Sequence, residues 1–181
     1  FGSICRSADC ASNQGNTGTA SDYELNVAKD VPTIDLDGFK NMGRMSIGDA
    51  EMQPGSNTLW LVNLYQRGLV SVDVSGQSNS LPGEVRQYLI SDMPNVPSCS
   101  GGTLRPWALA FRSGRGYLGA VCDAITSQNK DDLIAYVLSF DPNNVNAGFS
   151  HELSIPMNYD RSPRASQNFM PWLDVYTNPP V

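Results

Sequence analysis

The sequence predicts an all-β fold built from repeated four-stranded antiparallel sheets. Three observations carry this. Short apolar or alternating runs are separated by residues suited to tight turns. The best-defined of these units returns at a constant offset. No segment has a convincing helical period, while sixteen Gly and twelve Pro are spread along 181 residues, as suits many short strands.

The first unit runs from Gly48 to Gly76. Its strands are expected at Asp49 to Gln53, Thr58 to Leu64 and Leu69 to Val74. Pro54-Gly55-Ser56-Asn57 supplies the first turn, because Pro fixes φ and Gly or Asn accepts positive φ. Gln66-Arg67-Gly68 supplies the second. The Thr58 to Leu64 run is nearly all apolar, which predicts burial on both faces. In the third strand Ser71 and Asp73 alternate with valines, which predicts one wet face.

A second copy follows. Met52 to Asn63 lies on Ala110 to Val121 at an offset of 58, with Arg112 to Gly116 as the turn. Its third strand is expected at Leu133 to Phe140. Matching Val72-Asp73 to Phe140-Asp141 raises the offset to 68, so about ten extra residues, placed at 124–132, enter before that strand. Fourth strands are expected at Glu84 to Ile90 and Phe149 to Ile155. Four strands per unit, at a period of roughly 45–65 residues, predict a β-propeller or partial propeller of four-stranded antiparallel blades.

On this reading residues 1–43 are the end of a preceding blade with long loops. Residues 44–95 are one blade, and 96–156 a second with the inserted loop. Residues 157–181 connect to the start of a next blade. Thr33 to Gly38 fails as a calcium loop, since Arg44 falls where a bidentate Glu is required. The chain opens at Phe1 and stops at Val181, ends expected of a mature or proteolysed piece. About two blades cannot close a ring, so the partners expected are the rest of a longer parent chain or other copies of this one.

The net charge of −6 and a pI near 4.6 argue against nucleic acid, whose phosphates would be repelled. No run approaches the roughly 20 apolar residues that span a bilayer. Cys5, Cys10, Cys99 and Cys122 permit two disulfides in three pairings. Cys99–Cys122 is favoured, because an antiparallel hairpin brings the ends of its two strands together; Cys5–Cys10 would then close a small loop. Zinc spacings are absent. An oxidising location, secreted or at the cell surface, is expected.

TLWLVNLYQRGLVSVDVSG resembles the repeat of bacterial surface-layer and YVTN-type β-propellers. With GDAEM, PSCSGGTLRPWALAF, GYLGAVCDA and LIAYVLSFDP, the stretch from Met45 to Tyr159 resembles the propeller-like module of large secreted bacterial proteins. That resemblance implies a secreted or surface module and assigns no catalytic residue.

Chemistry is sparse. His151, the one histidine, sits in an expected outer strand, and there is no G-x-S-x-G, P-loop or dinucleotide fingerprint. Asp49 and Glu51, at i and i+2, share a strand face. They are the candidate ligand-binding carboxylates, with calcium as the candidate ion if they reach an axial channel. The structural alternative has Asp49 satisfying backbone N–H groups and Glu51 in solvent. Trp107 and Trp172, each after a proline, are candidates for stacking on carbohydrate, with Arg105 and Arg161 at a rim; Trp60 and Tyr117 are expected in the core. The function expected is a non-catalytic extracellular module with a binding, adhesion or structural role, toward a carbohydrate or protein ligand. The alternative is a metal-dependent propeller hydrolase or lactonase using Asp49 and Glu51.

Overall fold

The computed structural model describes residues 41–76, 81–159 and 169–173. Cys5, Cys10, Arg161 and the expected features before residue 41 lie outside them. The chain divides into two compact units, and Met45–Trp172 holds every strand discussed below.

This unit is all-β among its described residues. Strands β1 (Ile47–Met52), β2 (Thr58–Asn63), β3 (Gly68–Asp73) and β4 (Val85–Leu89) form one antiparallel sheet in sequence order. Strands β5 (Leu104–Arg112), β6 (Arg115–Cys122), β7 (Ile134–Phe140) and β8 (Ser150–Pro156) form a second. The turns follow local chemistry. Between β1 and β2, Ser56 N donates to Gln53 O across Pro54 and a Gly55 with φ of 76°, a type II arrangement. Between β5 and β6 the loop shrinks to Ser113 and Gly114, both at positive φ, because Arg112 pairs directly with Arg115. The turn expected at Arg112 to Gly116 is therefore a two-residue hairpin loop, whose twist matches that of the flanking strands.

The register sharpens the repeat. Met52 pairs with Leu59, and 58 residues later Ala110 pairs with Tyr117. On the third strand Thr58 faces Asp73 and Gly116 faces Phe140. Phe140 follows Asp73 by 67 residues, so the expected offset of 68 was one too many, and the insertion adds nine residues rather than ten. A one-residue slip exchanges the two faces of a strand, so the corrected register decides which side chains meet.

The two sheets pack face to face. Trp60, Val62 and Leu69 of the first meet Leu109, Leu118, Leu138 and Phe140 of the second, all buried. The Trp60 ring lies 5.9 Å from Tyr88, 6.1 Å from Phe111 and 5.5 Å from Phe140. Ile90 and Met93, after β4, and Val145 and Phe149, before β8, extend this core, and Phe149 N donates to Pro94 O at 3.0 Å.

The opposite faces carry apolar rows too. Across the first sheet Met52, Leu59, Val72 and Val85 form one row. Across the second, Val121, Ala135 and Ile155 form a row beside Gly119, Val137 and Leu153. Leu59 and Leu61, expected to be buried on both faces of the sheet, are only half-buried, and Val85 is 58% exposed. Tyr117, expected in the core, is half-buried on the second sheet's outer face.

Cys99 and Cys122 form a disulfide, with Cα atoms 5.3 Å apart and a sequence separation of 23. It ties the approach to β5 to the end of β6, as the hairpin geometry predicts. Cross-linking a loop of this length restricts the unfolded chain by about 3 kcal/mol. Cys99→Ser is expected to lower the melting temperature by roughly 10 °C in a calorimetric scan.

Candidate functional site

Both leading strands carry a one-residue bulge at equivalent places. In β1 the register shifts between Ile47 and Ala50, and in β5 between Pro106 and Ala108. Trp107 is the residue 58 after Asp49, so two of the candidate site residues occupy the same structural position in the two sheets. Bulges re-aim side chains, and the two sheets use theirs differently.

In the first sheet the bulge turns Asp49 toward the second. Asp49 Oδ2 accepts from Leu109 N at 2.8 Å, and Oδ1 accepts from Ala50 N at 2.8 Å. Both carboxylate oxygens are thus engaged by main-chain donors, one across the sheet junction. The backbones approach closely here: a Cβ on Gly48 would stand 2.8 Å from Trp107 O. Glu51 is exposed. Among the described residues no group of three or more His, Cys, Asp or Glu is disposed to hold a metal ion. Asp49→Ala is expected to leave the Leu109 N–H without its partner, costing about 1–2 kcal/mol in a urea titration.

In the second sheet the bulge presents Trp107, 47% exposed, to a groove on that sheet's outer face. Phe169, Met170 and Trp172 form its other wall, and Leu133 and Met157 line it too; the enclosed volume is about 180 Å³. The structure therefore brings Trp107 and Trp172 together, although 65 residues separate them.

A buried ion pair holds this wall. Asp123, fully buried just after β6, accepts Arg105 Nε at 2.5 Å on Oδ2. Its Oδ1 accepts Thr103 N at 2.8 Å and Ile125 N at 3.1 Å. The carboxylate's three hydrogen bonds offset the cost of its desolvation. The Arg105 guanidinium carbon in turn stands 4.8 Å from the Trp172 ring centroid, a cation–π contact. Trp172, expected as a surface residue, is half-buried because of it. Its main chain is held as well: Trp172 N donates to Asp123 O at 3.0 Å, and Gln128 Nε2 donates to Trp172 O at 2.8 Å. Gln128 belongs to the inserted loop, which thereby braces one side of the groove. Asp123 and Gln128 were not among the sequence candidates; a lone Asp after a strand and a Gln in a polar loop carry no pattern that marks them.

A second polar cluster lies at the far end of that outer face. Arg115 Nη2 donates to Ser139 Oγ at 2.6 Å, and Ser139 Oγ donates to Glu152 Oε1 at 2.5 Å. Ser139 is fully buried with its hydroxyl satisfied. His151 is exposed, with its ring edge-on to Tyr136 at 6.1 Å. Burial raises the pKa of the Tyr136 phenol. The neutral phenol is the form the fold favours, so its contribution is complete below the unfolded-state value near 10 and is lost as pH rises through the folded one. Tyr136→Phe is expected to flatten the fall in melting temperature above pH 10.

Compared with known proteins, the chain is similar to Colossin-A of Dictyostelium discoideum. It is 25% identical over 144 residues, which covers 75% of this chain and 1% of the relative. The chain thus spans about one hundredth of that protein's length. No protein-family model matches, and no solved structure matches. Among the described residues no helix is long and apolar enough to cross a membrane.

Proposed function

We propose that this chain supplies two blades of an extracellular β-propeller, serving as a non-catalytic binding or structural module of a larger assembly. The observation that carries this reading is the apolar character of the outer face of each sheet. A two-sheet sandwich standing alone turns polar side chains outward, with apolar ones confined between its layers. Here Met52, Leu59, Val72 and Val85 line one outer face, and Val121, Val137, Leu153 and Ile155 the other. Outward apolar rows of this kind call for a neighbour on that side as well, which is the condition of a blade inside a ring. The meander order of each sheet and the resemblance to YVTN-type surface repeats support the same reading. The disulfide suits an oxidising location. In Colossin-A the similar segment is a small part of a far longer chain, consistent with a module whose neighbours lie elsewhere in a polypeptide or in other copies.

The test is sedimentation with dye binding on the 181-residue chain. Uncovered outer faces are expected to bind a hydrophobic dye or drive self-association; a monodisperse monomer that binds no dye counts against missing neighbours. The hydrolase alternative, with calcium at Asp49 and Glu51, requires a metal-dependent rise in melting temperature that Asp49→Ala abolishes. The engagement of both Asp49 oxygens by main-chain N–H groups favours the binding or structural role.

A further inference from the structure

A second cavity opens between the two sheets, away from the groove of Trp107 and Trp172, with a volume of about 250 Å³. It lies where the inward face of the first sheet changes character. Along that face the row of Val62, Leu69 and Tyr88 is apolar. The next row is Trp60, Ser71 and Arg86, and then Thr58 faces Asp73. Backbone pairing places Glu84 beside Asp73, through Asp73 N to Glu84 O at 2.9 Å. Asn143, from the turn after β7, closes the cavity from the second sheet.

The repeat itself does not call for these polar residues. At the equivalent positions the second sheet has Gly116 for Thr58, Leu118 for Trp60, Leu138 for Ser71 and Phe140 for Asp73. There the face stays apolar and joins the core, the Phe140 ring filling the space over Gly116. The first sheet forgoes that burial. Its Ser71 is only 8% exposed, and no described group hydrogen-bonds its hydroxyl. The half-buried Asp73 carboxylate accepts Ser75 N at 2.8 Å on Oδ1 and is also hydrogen-bonded by the Ser75 side chain, which together hold its pKa below the usual value and keep it charged. A buried hydroxyl left without a partner costs stability. Departures of this kind from local consistency are expected where a ligand completes the hydrogen bonding.

We propose that this cleft is a carbohydrate-binding site sized for one sugar ring. Its chemistry fits a polyol better than an ion or an apolar group. The Asp73 carboxylate and the Ser71 and Thr58 hydroxyls accept from, or exchange hydrogen bonds with, vicinal hydroxyl groups. The Arg86 guanidinium, paired with Glu84 Oε1 at 2.7 Å, forms a second donor–acceptor set across the cavity. The half-buried Tyr88 ring, held against the buried Trp60 indole at an interplanar angle of 21°, gives the apolar wall for the C–H face of a sugar. Trp60 Nε1 is already bonded to Gln53 Oε1 at 3.0 Å, so the indole is fixed before any ligand arrives. The site lies within the two described sheets and needs no further blade, so it stands apart from the propeller reading.

The experiment titrates methyl glycosides of glucose, galactose, mannose and N-acetylglucosamine onto the 181-residue chain, followed by tryptophan fluorescence and amide chemical shifts. At least one glycoside is expected to saturate, with shifts at Ser71, Asp73 and Arg86. Ser71→Ala and Asp73→Asn are each expected to weaken that binding about tenfold. Ser71→Ala is also expected to keep or raise the melting temperature, since the hydroxyl it removes has no partner; this separates lost binding from lost fold. Trp107→Ala is expected to leave the affinity unchanged. The proposal is overturned if no glycoside saturates, if the shifts map to the Trp107 groove, if both cleft variants bind as well as the parent chain, or if only peptides bind the cleft.

Discussion

Trp60→Ala is expected to destabilise the unit of Met45–Trp172 by about 3–5 kcal/mol, the largest loss foreseen for a single apolar truncation here. The indole is 2% exposed and stands among Tyr88 of its own sheet and Phe111 and Phe140 of the other. Its removal opens a cavity at the contact between sheets, where neither backbone can collapse without shifting a whole ladder of hydrogen bonds. Trp60→Phe keeps most of the aromatic packing and is expected to cost less than half as much. Denaturant midpoints for the two variants, with the slope of the transition held constant, measure the difference. Equal losses would mean that the indole's size is not what joins the sheets.

Why that residue was legible, while others were not, has a physical reason. Trp60 sits in a strand whose nearly unbroken apolar run and flanking turns, Pro54-Gly55 before and Arg67-Gly68 after, are local properties of the chain. The offset of 58 between the first hairpins was readable because both hairpins keep one length, which fixes the register of both strands. The third strand was misplaced by one residue because its register is set by pairing across the insertion, and similar dipeptides, Val72-Asp73 and Phe140-Asp141, offered a false match. Contacts made to backbone were the least visible. Asp49 reaches the amide of Leu109, sixty residues on, and nothing in the identity of a leucine marks its N–H as a partner. The strand face shared by Asp49 and Glu51 suggested a ligand pair, while the bulge that re-aims Asp49 arises from the approach of β1 to β5, a tertiary effect. The polar Ser71 and Asp73 are readable as alternating with valines, which predicts a wet face. Their true side, turned toward the other sheet, follows only from how the sheets pack.

Arg105→Met is expected to be comparably damaging, at about 3–5 kcal/mol, by a different route. The substitution preserves much of the side chain's volume yet leaves the Asp123 carboxylate fully buried without its cation. The two main-chain donors from Thr103 and Ile125 remain, so the penalty is that of an unpaired charge rather than of an empty space. Arg105→Lys separates the contributions. It keeps a positive charge but cannot reproduce the guanidinium plane over the Trp172 ring, so it is expected to recover part of the stability while altering the environment of that indole. The fluorescence of Trp172, read in a chain whose Trp60 and Trp107 are replaced by Phe, reports the second effect alone. Asp123 O and Gln128 hold the Trp172 main chain from the other side, so the tryptophan is expected to stay docked in Arg105→Lys and to shift only in ring environment. A Trp172 signal unchanged in both variants would mean that the nine-residue insertion, rather than the ion pair, positions this wall of the groove.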